Sequence, residues 1–317
     1  MGFCVVTITN DVPEKAKRFV SYYLEQGAER IYLFLENPNS TIKNDFDHLD
    51  RVETKILTPD FLENLNLSED DPGPPQNSLG SYFYKQLKED WMLRVDIDEL
   101  MYFKGKSIDQ ALNETTDAVK TIRPKVIEEI GTDRNDGLLY FRDHVFGSRN
   151  LEKIYGDMWR IWRKSAGLVG HRSGKTAIRR GMRNVVVHTH GPKKIPFQFW
   201  RKKPNRNDIL KLDFIGREYH PDSYLLHFNK EPIEEWGSKF LFRARTRSLR
   251  PHSLGYFLQK LFSQRNSDIS LAEAFDQLHR YIFHFDEDRL AALDGCGKLI
   301  KIDLDLDALV AKYFPEG

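Results

Sequence analysis

Cysteine is nearly absent from this chain: Cys4 and Cys296 are its whole complement in 317 residues. Two thiols cannot form a disulfide framework, so a reducing, cytoplasmic setting is expected and small disulfide-stapled folds are excluded. Cys4 lies in an apolar run and reads as a small buried hydrophobe. Long hydrophobic runs are also missing. None approaches the roughly 20 residues of a bilayer-spanning helix, and a strand-like run already begins at Phe3, which leaves no expected place for a signal peptide or stem. Net charge is small: 48 Lys and Arg against 47 Asp and Glu give +1, with no global attraction to nucleic acid or membrane. Repeats and low-complexity segments are lacking as well. What remains, 40% hydrophobic and 30% charged residues, suits one large α/β domain or a domain with an appendage, long enough to bury a sizeable core.

Charge is nevertheless distributed unevenly. From Arg160 to Asn207 there are fourteen Lys and Arg and no Asp or Glu, so the rest of the chain is net acidic. Such segregation focuses field on anions: a sugar-nucleotide diphosphate, a phosphorylated acceptor, or the headgroups of an anionic membrane met at its inner face. A solvated basic face is the plainer alternative. Trp159, Trp162, Phe197, Phe199 and Trp200 are interleaved with these charges, which admits an RNA-binding module. The net charge and the lack of any RNP-type motif weigh against that, and no nucleic acid is expected. Within the stretch, Gly170-His-Arg-Ser-Gly-Lys175 has three residues between its glycines. A nucleotide-cradling P-loop needs four, so only Arg172 and Lys175 are retained, as diphosphate or acceptor contacts.

The order of elements predicts the architecture. Phe3–Thr9 and Arg30–Leu35 read as strands, separated by an amphipathic helix through Phe19, Tyr22, Tyr23 and Leu24. A third strand is expected over Val52–Leu57, a loop at Asp70-Asp-Pro-Gly-Pro-Pro75, a helix over Ser78–Glu89, and a strand from Trp91. This alternation predicts a mostly parallel sheet with helices on both faces. Ligands of such sheets lie at the carboxyl ends of strands, where Asn10, Glu36 and Asp96 fall. Beyond, 107–131 reads as helical. Gly137–His144, Met158–Trp162, Lys175–Arg179 and Val185–His190 read as short strands or hairpins, and Glu234–Thr246, Leu271–Phe285 and Leu306–Phe314 as helices. The expected division is a body over 1–235 and a helical extension over 236–317 packed on it.

The run Trp91-Met-Leu-Arg-Val-Asp-Ile-Asp-Glu-Leu-Met-Tyr-Phe103 carries most of the chemistry. If it is one strand, Asp96 and Asp98 share a face while Ile97 turns to the core. Two adjacent carboxylates repel unless a cation lies between them. Mg²⁺ or Mn²⁺ resolves that conflict and keeps positions open for substrate phosphates.

The surroundings of this triplet resemble the start of family-2-like glycosyltransferases with a GT-A fold. Asn10-Asp11 follow the first strand and open the helix, Gln26-Gly27 make a turn, Glu36-Asn-Pro-Asn-Ser40 follow the second strand, and Trp91 leads into Val95-Asp-Ile-Asp-Glu-Leu100. The likeness covers about the first 105 residues. Thr9-Asn10-Asp11 stands where the family reads Lys-Asn-Glu, which removes one phosphate contact, and Leu100 stands where Phe is usual. The resemblance implies a nucleotide-sugar donor, a glycan or lipid-linked acceptor, and donor contacts from Asn10, Asp96 and either Glu36 or Asn37. Glu36 equally suits a turn. It also implies a late histidine in the metal shell: His190, of Val185-Val-Val-His-Thr-His-Gly191, or His227, which ends Tyr224-Leu-Leu-His-Phe228 and is the better placed. A lone strand histidine is more often a structural hydrogen-bonder. Asp143, after Leu138–Phe141, is the candidate general base. A haloacid-dehalogenase-like phosphatase using Asp96 as nucleophile and Asp98 as acid/base is the rival, but Leu100 stands where that family has Thr or Val.

Overall fold

The computed structural model describes residues 2–9, 13–37, 40, 42–64, 75–170, 172–195, 215, 219–238 and 270–315. The chain forms two compact units, each assembled from separated stretches. The first is Met1–Lys125 with Ser173–Leu225 and Asp305–Gly317, and the second is Val126–Arg172 with Leu226–Leu304. The expected boundary at 235 does not coincide with this division, because the chain leaves the first unit and returns to it twice.

The first unit is built on a sheet of strands β1 (Phe3–Thr9), β2 (Arg30–Leu35), β3 (Val52–Ile56), β4 (Trp91–Arg94), β6 (Thr121–Ile122) and β9 (Ala177–Arg179), in the order β3-β2-β1-β4-β9-β6. The four strands β3, β2, β1 and β4 are parallel, and β9 and β6 add an antiparallel edge. The run Phe-Cys-Val-Val of β1 is buried on both faces, as a parallel strand covered by crossovers must be. Cys4 and Val6 meet Phe34, Met92, Ile178, Val187 and Tyr84, the last on helix α4 (Pro75–Gln86). Helix α1 (Pro13–Glu25) links β1 to β2, and α2 (Ile42–Asp45) links β2 to β3. From β3 the chain passes through α3 (Pro59–Asn64) and α4 to reach β4 on the other side of β1. Strand order therefore reverses between β1 and β4, the crevice where open α/β sheets bind ligands. The last helix, α10 (Leu306–Tyr313), lies along α1, where Arg18 pairs with Asp307 at 2.9 Å and Lys312 with Glu25 at 2.6 Å.

The stretch 107–131 is not one helix. Ser107 and Gln110 form a capping box that starts α5 (Ile108–Asn113), after which the chain turns into β6 and β7 (Lys125–Ile130). Thr115-Thr116 and Pro124 break the helical pattern, and Val126-Ile127 favours extended backbone. Met158–Trp162 is likewise helical: α6 (Ser148–Tyr155), a 3-10 turn and then α7 (Trp159–Trp162). Gly156, at φ +53°, ends α6, and across that break the Tyr155 and Trp162 rings stack at 4.6 Å.

In the second unit β7, β8 (Leu139–Arg142) and β13 (Leu299–Ile302) pair antiparallel, with Glu128 opposite Arg142 and Arg142 opposite Leu299. The expected helical extension thus supplies a strand. Its helices α8 (Leu271–Phe283) and α9 (Glu287–Gly295) bury Leu278, Ile282, Leu290 and Leu293 against Ile154 and Trp162. Of the helix expected over Glu234–Thr246, residues 233–238 are helical and the remainder lies outside the described residues.

Candidate functional site

β4 ends at Arg94, two residues before the acidic triplet. Ile97 and Asp98 form a tight turn into β5 (Glu99–Phe103), so Asp96 and Asp98 are presented by a corner and not by one strand face. Glu99 closes that corner. Its N–H donates to the Asp96 carbonyl at 3.0 Å, while its carboxylate accepts from the Asp96 N–H at 2.9 Å. Helix α1 fixes the strand that follows: the Tyr23 hydroxyl donates to the Glu99 carbonyl (3.1 Å) and accepts from the Met101 N–H (3.0 Å), and Tyr22 donates to the Met101 carbonyl (2.7 Å). Burial keeps both tyrosines protonated far above neutral pH. Glu99, 7% exposed, is a site residue whose role the spacing of the motif did not show.

The cation beside these acids comes from the chain itself. Lys175, 2% exposed, donates to Asp96 Oδ2 at 2.6 Å and lies 3.5 Å from Glu99 Oε2. A cation next to two carboxylates is what the acidic motif calls for, and here an ammonium contributes it. The turn bearing Lys175 is held by Arg123, whose Nε and Nη2 donate to the Ser173 carbonyl at 2.9 and 2.5 Å.

His190 reaches the same turn. β10 (Val185–His188) and β11 (Gly191–Lys194) form a hairpin in which His188 pairs with Gly191. His190 therefore sits in a two-residue loop and does not share a strand face with His188. Its Nδ1 lies 2.9 Å from the Gly174 carbonyl, which can only accept, so Nδ1 bears the proton and Nε2 the lone pair of the neutral ring. The hairpin tip depends on Gly191: its φ is +140°, and a Cβ there would come within 2.8 Å of Thr176 Oγ1. Gly191→Ala is expected to cost about 1–3 kcal/mol in a denaturant titration. An unchanged midpoint would mean the tip is not constrained as described.

Arg94 had no part in the sequence reading, although a charge inside Trp91-Met-Leu-Arg-Val is costly unless used. It is 6% exposed. Burial lowers its pKa, opposed by Asp96 and Glu99. Lys193 is buried as well. The half-buried His188 has its pKa pushed down to about 4 by burial and then by Lys193, Arg94 and Lys175, so it is neutral at pH 7.

The acid-free stretch is divided between the two units. Residues up to Arg172 belong to the second unit, and those from Ser173 to the first. Several of its bases are counter-charges to acids elsewhere: Lys175 to Asp96, Arg179 to Asp117, Arg180 to Asp90. Arg172 is exposed and lies in a different unit from Lys175.

The other expected site residues are placed as follows. Asn10 lies outside the described residues. Glu36 and Asn37 are exposed just past β2, with the Glu36 N–H donating to the Thr9 carbonyl at 3.1 Å. Asp143 and His227 belong to the second unit, Asp96 and Asp98 to the first. Asp143 is 4% exposed, accepts from the His144 N–H at 2.6 Å and pairs with Lys298 at 3.2 Å. His227, at the end of β12 (Ser223–His227), lies 3.8 Å from Glu128 Oε1.

Asp96 and Asp98 are hard oxygen donors of the kind Mg²⁺ and Mn²⁺ take. Among the described residues no three His, Cys, Asp or Glu side chains gather as a metal-binding group. Two carboxylates still suit a cation whose shell is completed by substrate phosphates and water, the usual habit of Mg²⁺. No helix among the described residues is long and apolar enough to cross a membrane.

No family model matches the chain, and no curated protein matches it. Among solved structures it is similar to HddC from Yersinia pseudotuberculosis, at 14% identity over 41% of this chain and 59% of that one, with a TM-score of 0.25. It is also similar to the apo structure of WbbM, a bifunctional glycosyltransferase, at 8% identity over 39% of this chain and 23% of that one, with a TM-score of 0.28. The chain thus covers 59% and 23% of the lengths of these two proteins. At such TM-scores the likeness carries no argument of its own.

Proposed function

We propose that this chain is a GT-A-type glycosyltransferase that moves a sugar from a nucleotide-diphosphate donor to a glycan or lipid-linked acceptor. One observation carries the reading: Asp96-Ile97-Asp98 follows β4 at the point where the parallel strand order reverses, and Lys175 and the His190 hairpin are brought to the same corner. In this reading Asp96 and Asp98 hold a divalent cation with the donor's phosphates, and His190 Nε2 is its nitrogen ligand. Bound there, the cation would neutralise charge on the departing diphosphate. Glu99 and Lys175 keep the Asp96 carboxylate oriented, and the exposed Glu36 and Asn37 line the donor's nucleoside side. Cytoplasmic residence, with contact to an anionic membrane surface where a lipid-linked acceptor is presented, belongs to the same proposal.

The test is thermal. A nucleoside diphosphate should raise the melting temperature with Mn²⁺ or Mg²⁺ present and far less with EDTA, and Asp98→Asn should lose the metal-dependent part. Equal stabilisation of Asp98→Asn and wild type would remove the cation from the reading.

A second reading has one observation in its favour, since an ammonium beside Asp96 would also suit a phosphorylated nucleophile. Hydrolysis of phosphate monoesters is expected to fail. Beryllofluoride should form no adduct, and p-nitrophenyl phosphate should show no turnover that Asp96→Asn abolishes. Robust Asp96-dependent turnover would replace the transferase by a phosphatase.

A further inference from the structure

Phe146, in the second unit, is the most exposed large apolar side chain among the described residues, at 60%. It does not hang from a loose end. Val145 before it is buried, its N–H donates to the Ala166 carbonyl at 2.7 Å, and a Cβ on Gly167 would come 3.5 Å from Val145 Cβ. After it, Gly147 turns at φ +87° into α6. The Leu151 N–H donates to the Gly147 carbonyl at 3.1 Å, and Asn150 Nδ2 to the Phe146 carbonyl at 3.3 Å. One exposed ring is ordinary; its neighbours distinguish this one. The Val145–Ala166 bond joins the loop to the turn after α7, where Arg163 and Lys164 are exposed. Arg149 and Lys153, one turn apart on α6, are exposed too, as is Arg160, whose guanidinium lies 5.7 Å from the Trp159 ring centre. Against these five cations, 146–164 exposes two acids, Glu152 and Asp157. None of the five has an ion-pair partner among the described residues. The bases beyond Ser173 differ, because Lys175, Arg179 and Arg180 each answer an acid.

We infer that Phe146 and the cations around it form a docking surface for an anionic lipid bilayer, with the Phe146 ring inserted below the headgroups. An aromatic ring set among bases suits that boundary: the ring leaves water for the acyl chains while Arg and Lys stay with the phosphates. Nucleic acid would also meet the charge, but a base-stacking surface needs several open rings. Trp162 is buried here and Trp159 is packed against the core of the unit. The choice of a membrane as the place of work rests on the transferase reading and its lipid-linked acceptor; the surface itself does not.

The full chain in EDTA is sedimented with vesicles of phosphatidylcholine, alone or with phosphatidylserine added. Wild type should bind the anionic vesicles and not the neutral ones. Each Lys or Arg at an anionic leaflet contributes about fivefold to partitioning, so Arg160→Gln, Arg163→Gln and Lys164→Gln combined should weaken binding by roughly tenfold or more. Lys43→Gln, Lys85→Gln and Lys88→Gln combined make the same charge change on exposed residues of the first unit and should leave binding nearly unchanged. Phe146→Ala should weaken it severalfold, and Phe146→Trp should add emission that brominated acyl chains quench. Circular dichroism of each variant confirms folding. No binding of folded wild type to anionic vesicles, equal losses in the two triple variants, or no quenching in Phe146→Trp would overturn the surface. Binding of single-stranded RNA that the first triple variant loses, without vesicle binding, would make this a nucleic-acid surface and overturn it as well. Failure here with intact Mn²⁺-dependent, Asp98-dependent nucleotide stabilisation would leave the transferase reading standing. Vesicle binding with no nucleotide effect would leave the surface and remove that reading.

Discussion

Glu128→Gln should lower the unfolding free energy by about 3–5 kcal/mol. Glu128 and Arg142 are a cross-strand pair in the second unit, both with fully buried side chains, 2.9 Å apart. The carboxylate also accepts the Val169 and Gly170 N–H groups at 2.7 and 2.5 Å, which ties the approach to Arg172 to the sheet. The guanidinium donates to the Ile282 carbonyl at 3.0 Å and lies over the Trp162 and Phe285 rings, so it has no route to water. Glutamine keeps the shape and some hydrogen bonds but leaves Arg142 as an uncompensated buried charge. The pH dependence follows from the same pair. Burial by itself would raise the Glu128 pKa, but Arg142, His227 and the Val169 N–H outweigh it and hold it at about 2, against an ordinary 4.5. A depressed carboxyl pKa stabilises the fold fully above the unfolded value and loses that contribution as pH falls toward the folded one. Wild type should therefore lose stability between about pH 4.5 and 2, and Glu128→Gln should show a smaller loss across that window. Urea titrations at several pH values measure both. A midpoint for Glu128→Gln equal to wild type at pH 7 would show that the pair contributes nothing net.

Lys175→Met is the corresponding experiment at the acidic corner. Lys175 is the described cation in contact with both Asp96 and Glu99, at 2.6 and 3.5 Å. Without it two carboxylates face each other with less compensation, and one takes up a proton or turns away. A charged hydrogen bond contributes about 1.5–3 kcal/mol, so nucleotide affinity and transfer rate should fall by roughly 10–100-fold. The plainer role, a buried cation that only stabilises the fold, predicts a lower melting temperature with affinity unchanged. Nucleotide titration of the folded variant separates the two. An affinity within twofold of wild type would remove Lys175 from the proposed donor site.

Much of the first unit was legible from the sequence because its signals are local. Parallel strands buried on both faces read as the apolar runs at Phe3, Arg30 and Trp91, and an amphipathic helix announces itself by its spacing. The D-x-D could be located for the same reason, since charge that abruptly ends an apolar run is visible without a fold. The second unit was less legible. Its strands at Lys125 and Leu299 are short and carry charges, and Glu128 resembles a solvated residue until Arg142 is placed opposite it. The helical reading of 107–131 failed because a two-residue strand such as β6 draws its stability from pairing with β9 and not from its own propensity.

By itself the sequence determined which residue types stand at the end of the fourth parallel strand, and that they are two aspartates and a glutamate. Tertiary structure alone decided what faces them. Lys175 is 79 residues from Asp96, and nothing in its Gly-Lys-Thr setting names its partner. Arg94 is adjacent in sequence, yet its burial depends on Gly80 of α4 packing against its side chain, and its Nη1 has no hydrogen-bond partner among the described residues. Charge becomes chemistry only where desolvation and a neighbour fix its energy, and both are properties of packing that no local pattern encodes.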